Sequence, residues 1–232
     1  MNNREGLSPP IYHVGGIIMK GITFGNLHTY DDLQLILTTK EIGAPAVKSK
    51  KIDIEGADGS LDLTEFFGDV KFENVEHHFT FSTIVPKQNF LSQFSTVKNA
   101  LHGKRLHIVL DDEPGYYYAG RLFVSSFTST KGIGQITIDA DCDPWKYKAT
   151  KTTVSATIID TATVTLQNGR RRVVPEVQIA TEDKLRISYG NNIWDLGAGS
   201  YTLPELELVA GANAVEVTGT GTITFTYQEG DL

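Results

Sequence analysis

In the stretch QITIDADCD, Ile136, Ile138, Ala140 and Cys142 fall on one face of an extended chain and Gln135, Thr137, Asp139, Asp141 and Asp143 on the other. That period of two marks a half-buried strand and puts Cys142 in the core, where a thiol packs as a small hydrophobe rather than acting as a nucleophile or ligand. The three aspartates of the opposite face read as a solvated edge, because hard cations need oxygens converging from a turn. A second run sets Val75, His77, Phe79 and Phe81 against Glu76, His78 and Thr80. His77 is thus expected to be packed and hydrogen-bonded, and the adjacent His78 points away from it, so the two cannot ligate one metal. One stretch alone has a helical period. From about Pro86 to His102, the residues Phe90, Phe94, Val97 and Leu101 recur at spacings of four, three and four; Gly103 supplies the stop, with Lys98 and His102 near the negative end of the dipole.

The pattern changes after Asp143-Pro144. Trp145 to Leu232 carries 14 threonines, including the run TGTGTITFTY, and short strands are expected over Thr163–Gln167, Val173–Ile179, Leu185–Tyr189, Ala214–Thr218 and Thr222–Tyr227, the spacing of a small sandwich. Asn168-Gly169 and Gly190-Asn191 read as hairpin turns, since both pairs tolerate positive φ. No repeat of fixed period is present. The boundary is placed between Asp143 and Lys148, giving domains 1–143 and 144–232.

Composition narrows the class. The chain has 232 residues and 25.5 kDa, enough to bury roughly 70% of its unfolded surface. With 40% hydrophobic and 21% charged residues it is neither disordered nor fibrous. One cysteine makes no internal disulfide, and 22 glycines and 8 prolines spread as turn punctuation favour β-structure. A formal net charge of −7 argues against a clamp on nucleic acid. Ile17 to Met19 is the only apolar run near the start, too short for the core of a secretion signal, and none nears the ~18 residues of a membrane span. Synthesis in the cytoplasm without membrane insertion is expected.

Searches for chemistry return little. In DIEGADGSLDLTEFFG, setting Gly59 as sixth residue of a calcium loop puts Asp58 fifth and Glu65 twelfth, but Ile54 and Gly56 then take the first and third places; a turn over Ala57-Asp58-Gly59 fits better. None of the six histidines stands in a nucleophile or metal motif; His102 and His107 read as exposed residues at a helix end and a strand start. With 28 acidic residues, carboxylate pairs for glycoside hydrolysis carry almost no signal. Arg170, Arg171 and Arg172 form a basic cluster, read first as a solvated hairpin flank and second as a contact for an acidic partner. Trp194, beside Tyr189, Asn191, Asn192 and Asp195 on an expected loop, has the composition of a glycan or partner contact, in which an aromatic face packs on a sugar ring; a core or subunit-contact Trp194 is the competing reading. No catalytic residue, metal ligand or cofactor site is assigned, and an enzyme is not expected.

Several separated stretches together resemble a known family. GITFGNLHTYDDLQLIL, KIDIEGADGSLDLTEFFGDVKFENVEHHFTFST, ALHGKRLHIVLDDEPGYYYAGRLFVSSFTS and IDADCDPWKY are similar, in order and spacing, to the N-terminal domain of the distal tail proteins, the baseplate hubs of long non-contractile-tailed phages. NGRRRVVPEVQIA, LELVAGANAVEV and the last threonine-rich strand resemble the family's small galectin-like C-terminal domain. The likeness runs from about Gly21 to the end, and its most specific parts are the GADGSLDLT turn, the Asp112-Glu113-Pro114-Gly115-Tyr116 turn and Asp143-Pro144-Trp145. It implies a mainly β structural virion protein: a β-barrel or sandwich ring domain with one α-helix, and a galectin-like β-sandwich outside the ring. It further implies a homo-hexamer at the tail tip, with the tail tube protein above and a tail-associated lysin or tail-tip protein below. Receptor-binding protein would sit at the periphery, and phage DNA would pass the lumen without specific binding. The polar segment Thr38 to Lys51 looks like the family's extended belt, a subunit contact through Glu41, Pro45, Lys48, Lys50 and Lys51. The rival reading is a carbohydrate- or receptor-binding tail adhesin acting through the C-terminal domain, and a glycosidase stands third. Residues 1–143 carry 13 basic and 18 acidic side chains and the remainder 8 and 10, so acidity gathers in the expected ring domain.

Overall fold

A computed structural model describes residues 12–14, 17–66 and 68–232; most of the Met1 to Gly16 segment lies outside the described residues. The chain divides into two compact units, Met1–Pro144 and Trp145–Leu232. In the first, β1 (Tyr12–Val14) pairs with β2 (Ile17–Met19). Then come β3 (Ile22–Phe24), β4 (Leu27–His28), β5 (Leu35–Ile42), β6 (Lys51–Asp53), β7 (Ser60–Asp62) and β8 (Val75–Thr83). A 3-10 turn at Lys87–Asn89 leads into α1 (Phe90–Leu101), followed by β9 (Arg105–Leu110), β10 (Tyr116–Thr130) and β11 (Ile133–Lys148).

The main sheet runs β4-β3-β9-β10-β11-β8-β5. Its inner face is the one that the two alternating runs predict: Phe79, Phe81, Ile136, Ile138, Ala140 and Cys142 are buried together with Ile22, Phe24, Leu35 and Leu122. Opposite side chains meet directly, Ile136 across from Phe81 and Ile138 across from Phe79. The helix lays Phe90, Val97 and Leu101 into this core, and Phe90 and Phe94 pack on Phe127 of β10 with ring centroids 6.0 and 5.6 Å apart. It is shorter than expected at its start, because Pro86 to Asn89 is taken up by the tighter turn. It ends as expected, with Gly103 at φ 77° just past the last turn.

The second unit holds β12 (Thr152–Asn168), β13 (Glu176–Ala180), β14 (Leu185–Tyr189), β15 (Asn192–Leu196), β16 (Gly199–Thr202), β17 (Gly211–Tyr227) and β18 (Gly230–Asp231). β18 pairs with Lys146 and Tyr147 at the end of β11. Three expectations are corrected. Ala214–Thr218 and Thr222–Tyr227 are halves of the one 17-residue strand β17, and Thr163–Gln167 is the end of the equally long β12, which pairs with β17 throughout. β17 then meets β14 over its first half and β13 over its second, so one ribbon serves a single core of Ile158, Leu166, Val177, Ile187, Val217, Ile223 and Phe225. Gly219 and Gly221 look like strand breakers in the sequence, but they are what lets the strand continue. A Cβ at Gly219, which has φ 128°, would lie 2.8 Å from the Lys184 carbonyl oxygen, and one at Gly221 would lie 2.7 Å from that of Ala180.

The third correction concerns Asn168-Gly169, which is not a hairpin. The Asn168 side chain is buried and its amide donates to the carbonyls of Arg171 (2.9 Å) and Leu208 (3.3 Å). The chain then passes through a bridge from Val173 to Leu208 before β13 begins at Glu176. Gly190-Asn191 does close the β14–β15 hairpin, with Tyr189 opposite Asn192 and positive φ at Gly190 alone, the requirement of a type II′ turn.

Gly219→Ala tests the crossing over β17. The added methyl at a left-handed position under a carbonyl should cost about 1–3 kcal/mol, read as a lowered urea midpoint of the second unit; an unchanged midpoint rejects the close approach.

Candidate assembly surface

Between β5 and β8 the chain leaves the sheet, runs out and returns. Residues 43–74 form a two-legged arm: the Glu73 N–H donates to the Ala46 carbonyl (2.8 Å), Lys48 N–H to Lys71 (2.8 Å) and Leu63 N–H to Lys50 (2.7 Å), and β6 pairs with β7 beyond them. The tip, residues 54–59, turns with positive φ at Gly56 and Gly59, which is the turn expected at Ala57-Asp58-Gly59. No described residue between Gly43 and Asn74 is buried. Large apolar side chains are nonetheless present, with Phe66 69% exposed, Ile54 52%, Leu61 49% and Val47 48%. A two-stranded hairpin has no interior of its own in which to put them.

The root of the arm is fixed at both legs. On the outgoing leg, the Gly43 N–H donates to Nδ1 of the buried His77 (3.2 Å). A Cβ at Gly43 would lie 2.5 Å from the Glu76 carbonyl oxygen, so only glycine lets the leg depart this close to β8. Accepting that bond keeps His77 neutral, and burial lowers its pKa; this is the packed, bonded histidine expected from the alternation. On the return leg, Asn74 donates its amide to Asp141 (3.0 Å). On the outer face, His78 bonds Asp139 (2.7 Å), which raises its pKa with help from Glu76 and Glu41.

The Asp112 to Tyr116 turn is tied to the start of the same unit. His28 donates through Nε2 to Asp111 (3.1 Å), the Gly21 N–H donates to the same carboxylate (2.6 Å), and Lys40 pairs with Asp112 (2.5 Å). The bond to Asp111 raises the pKa of His28 despite partial burial. Burial pushes Asp111 up, but the bonds from His28 and Gly21 outweigh it and leave the carboxyl below its usual range.

The belt residues expected from the sequence divide between two settings. Thr38 to Ile42 is not arm: Glu41 lies in β5, opposite His78 in the sheet. Pro45, Lys48, Lys50 and Lys51 do lie on the outgoing leg. A strand on each side of the Ala57-Asp58-Gly59 turn agrees with the sequence reading, but the expected belt covers residues 38–51 alone, without the return leg that carries Leu61 and Phe66. The glycan constellation is assembled in part: the register puts Tyr189, Asn192 and Trp194 on one face of the β14–β15 pair and Asp195 on the other. Trp194 stands in β15 rather than a loop, packs with Tyr189 against the core of the second unit and faces Ile187 across the strands. The Tyr189 hydroxyl donates to Asn213 (2.8 Å). Asp195, next along the strand from Trp194 and therefore on the other face, is held by Arg186 at 2.8 and 3.1 Å, while Asn191 and Asn192 belong to the hairpin end. The three arginines flank no hairpin: Arg171 lies over the Tyr147 ring (5.4 Å) and Arg172 pairs with Glu207 (3.1 Å). His102 accepts from the Val124 N–H (3.1 Å) and His107 stacks on Tyr117 (4.1 Å). Cys142 is buried, and burial beside Asp141 and Asp143 pushes its thiol up to about 12, which leaves it unreactive. Among the described residues no three metal-ligating side chains converge, and no helix is long and apolar enough to cross a membrane.

These features define a class, a mainly β protein of two units in which the first carries one helix and a projecting hairpin. The fold is Dit-like. The chain is similar to SPP1 Dit (gp 19.1), described as a paradigm of the hub adsorption apparatus in Gram-positive infecting phages, with a TM-score of 0.69 over 90% of this chain and 98% of that one at 16% identity. No protein-family model matches the chain, nor does any curated protein.

The His28–Asp111 tie predicts a pH dependence. A raised histidine pKa gives stabilisation that is full below the ordinary value of 6.5 and is lost as pH rises through the higher folded value. The lowered Asp111 contributes above its ordinary 3.8 and is lost on acidification. The stability difference between wild type and His28→Gln should therefore shrink from about pH 5 to about pH 9 in urea titrations; a constant or growing difference refutes the tie.

Proposed function

We propose that this protein is a structural hub of a phage tail: a ring-forming distal tail protein whose first unit, acting as one domain, closes a homo-hexamer at the end of the tail tube. Its second unit, acting as a galectin-like domain, is displayed outside. The observation that carries the reading is the arm of residues 43–74, a hairpin with exposed backbone edges and exposed Val47, Ile54, Leu61 and Phe66, on a chain with a Dit-like fold. A closed ring is built from heterologous contacts, one patch on each copy meeting a different patch on the next, and an arm that reaches the neighbour supplies such a contact through main-chain bonds and apolar anchors. Pro45, Lys48, Lys50 and Lys51 on the outgoing leg are the subunit-contact residues, and the lysines keep free arms from pairing with each other.

In this role the ring continues the tube lumen. DNA leaves through it without specific binding, tail-tip or lysin proteins sit below and receptor-binding proteins attach at the periphery during host attachment. The protein is made in the host cytoplasm and works in the virion, without catalysis or a cofactor. The adhesin reading keeps Tyr189, Asn192 and Trp194 on one face of the β14–β15 pair but not Asp195, which lies on the other face and is engaged by Arg186.

Light scattering of the purified chain should give the mass of six protomers, and negative-stain images a ring with a central hole. Replacing residues 44–73 by a short Gly-Ser linker should leave a folded monomer, because no described residue of the arm is buried. A deletion variant that still runs as a hexamer rejects the arm as the contact.

A further inference from the structure

The charge on the arm is segregated along its length. From Asp53 to Asp69 there are six carboxylates and no lysine or arginine; Asp53, Glu55 and Asp58 lie beyond every lysine of the arm, while Asp62 stands opposite Lys51 and Glu65 and Asp69 fall between the levels of Lys50 and Lys71. The opposite charge collects elsewhere on the first unit, where the end of α1 runs into β9. Lys98 lies in the last turn of the helix, Lys104 precedes β9 and Arg105 begins it, and Arg121 of β10 stands directly opposite Arg105. All four are exposed. The Arg121 guanidinium donates to the Gly103 carbonyl (2.5 Å), and Arg105 pairs with Asp143 (2.6 Å). Like-charged residues facing each other across a strand pair are destabilising on their own, and these two partners offset that repulsion. Phe123 stands among these cations. It is 40% exposed, lies two residues along the same strand face from Arg121 and packs edge-on to His102 at 6.3 Å between centroids.

We infer that in the ring the acidic tip of one copy's arm docks on this basic patch of the next copy, with Phe123 as the apolar centre of the contact. The inference rests on the arm reading given above and adds the surface that receives it. The partner is a second copy because the complement is on the chain itself: carboxylates and exposed Ile54 at the tip, cations around an exposed phenylalanine on the patch. The reach agrees. The outgoing leg, Gly43 to Asp53, extends about 35 Å at the rise of a strand, and a unit of this size has a radius of gyration of about 15 Å, so a leg spans roughly one domain. Opposite fields also orient the encounter, which matters when six identical copies have to join head to tail rather than face to face.

A charge-swap cycle on the full chain tests this, read as the protomer concentration at half-dissociation of the ring. Lys104→Glu with Arg121→Glu, and separately Glu55→Lys with Asp58→Lys, should each raise it at least about tenfold, and the four changes together should bring it back to within about threefold of wild type. Circular dichroism checks the fold, and Lys104→Ala with Arg121→Ala, which weakens without repelling, gives a smaller rise. If patch reversal leaves the ring intact while arm deletion dissolves it, the arm reading stands and the docking surface falls. If arm deletion also leaves a hexamer, or the wild type is a monomer, both fall. If instead double-stranded DNA binds the wild-type ring and patch reversal abolishes that binding with the ring unchanged, the patch is a nucleic-acid face and the inference is overturned.

Discussion

Because β8 pairs with β5 on one side and β11 on the other, its inward side chains are locked against Ile136, Ile138 and Ala140, and the two legs of the arm must leave and re-enter the sheet side by side. The register decides the rest. Ile42 opposite His77 brings the next residue, Gly43, onto the buried ring, and Cys142 opposite Val75 brings Asn74 within reach of Asp141. A slip of one residue would turn Phe79 and Phe81 outwards and His78 inwards, so the same core contacts that stabilise the sheet also aim the arm. An exposed hairpin with no core of its own can still have a defined root for this reason.

The parts legible in the sequence are those where one face is buried and the other wet. The β8 and β11 alternations, the helix that buries Phe90, Val97 and Leu101, and the hairpin at Gly190 all follow from local periods or local φ demands. What was not legible depends on a neighbour distant in sequence. Thr38 to Ile42 has the same polar composition whether it is an edge strand or a free arm, and only pairing with β8 distinguishes them. Asn168-Gly169 has turn chemistry, yet the amide caps carbonyls at Arg171 and Leu208, one of them forty residues away. Gly219 and Gly221 read as a break because the sequence does not show which backbone lies over them. Asp195 leaves the glycan set for a simpler reason: Trp194 and Asp195 are adjacent in sequence, and adjacency in a strand separates side chains.

The arm is a chain segment whose stabilising partners are absent from its own fold. Burying an exposed large apolar side chain is worth about 1.5–3 kcal/mol, so covering Ile54, Leu61 and Phe66 would release several kcal/mol, to be set against the cost of ordering and association. The free protein must keep those groups from joining the wrong surface. Charge does this without opposing the right contact: the tip repels other tips, and the lysines near the root guard the strand edges. In the proposed ring the contact would then be specific by repulsion as much as by attraction.

That view changes what the acidity of the chain means. Residues 1–143 hold 13 basic and 18 acidic side chains, but the segment 53–69 alone holds six of the acids and none of the bases, leaving 13 basic against 12 acidic for everything else. The whole arm, residues 43–74, holds seven acidic and four basic side chains and the body of the unit eleven and nine, so the arm carries −3 of the unit's −5. A net charge of −7 therefore does not describe the wall of a channel. If tips and patches meet in the ring, the strongest cationic surface of the unit is covered by carboxylates of the next copy, and passing DNA finds neither a basic groove to hold it nor a strongly acidic wall to repel it. Indifference to DNA then comes from neutralisation between subunits, and it appears only once the ring has closed.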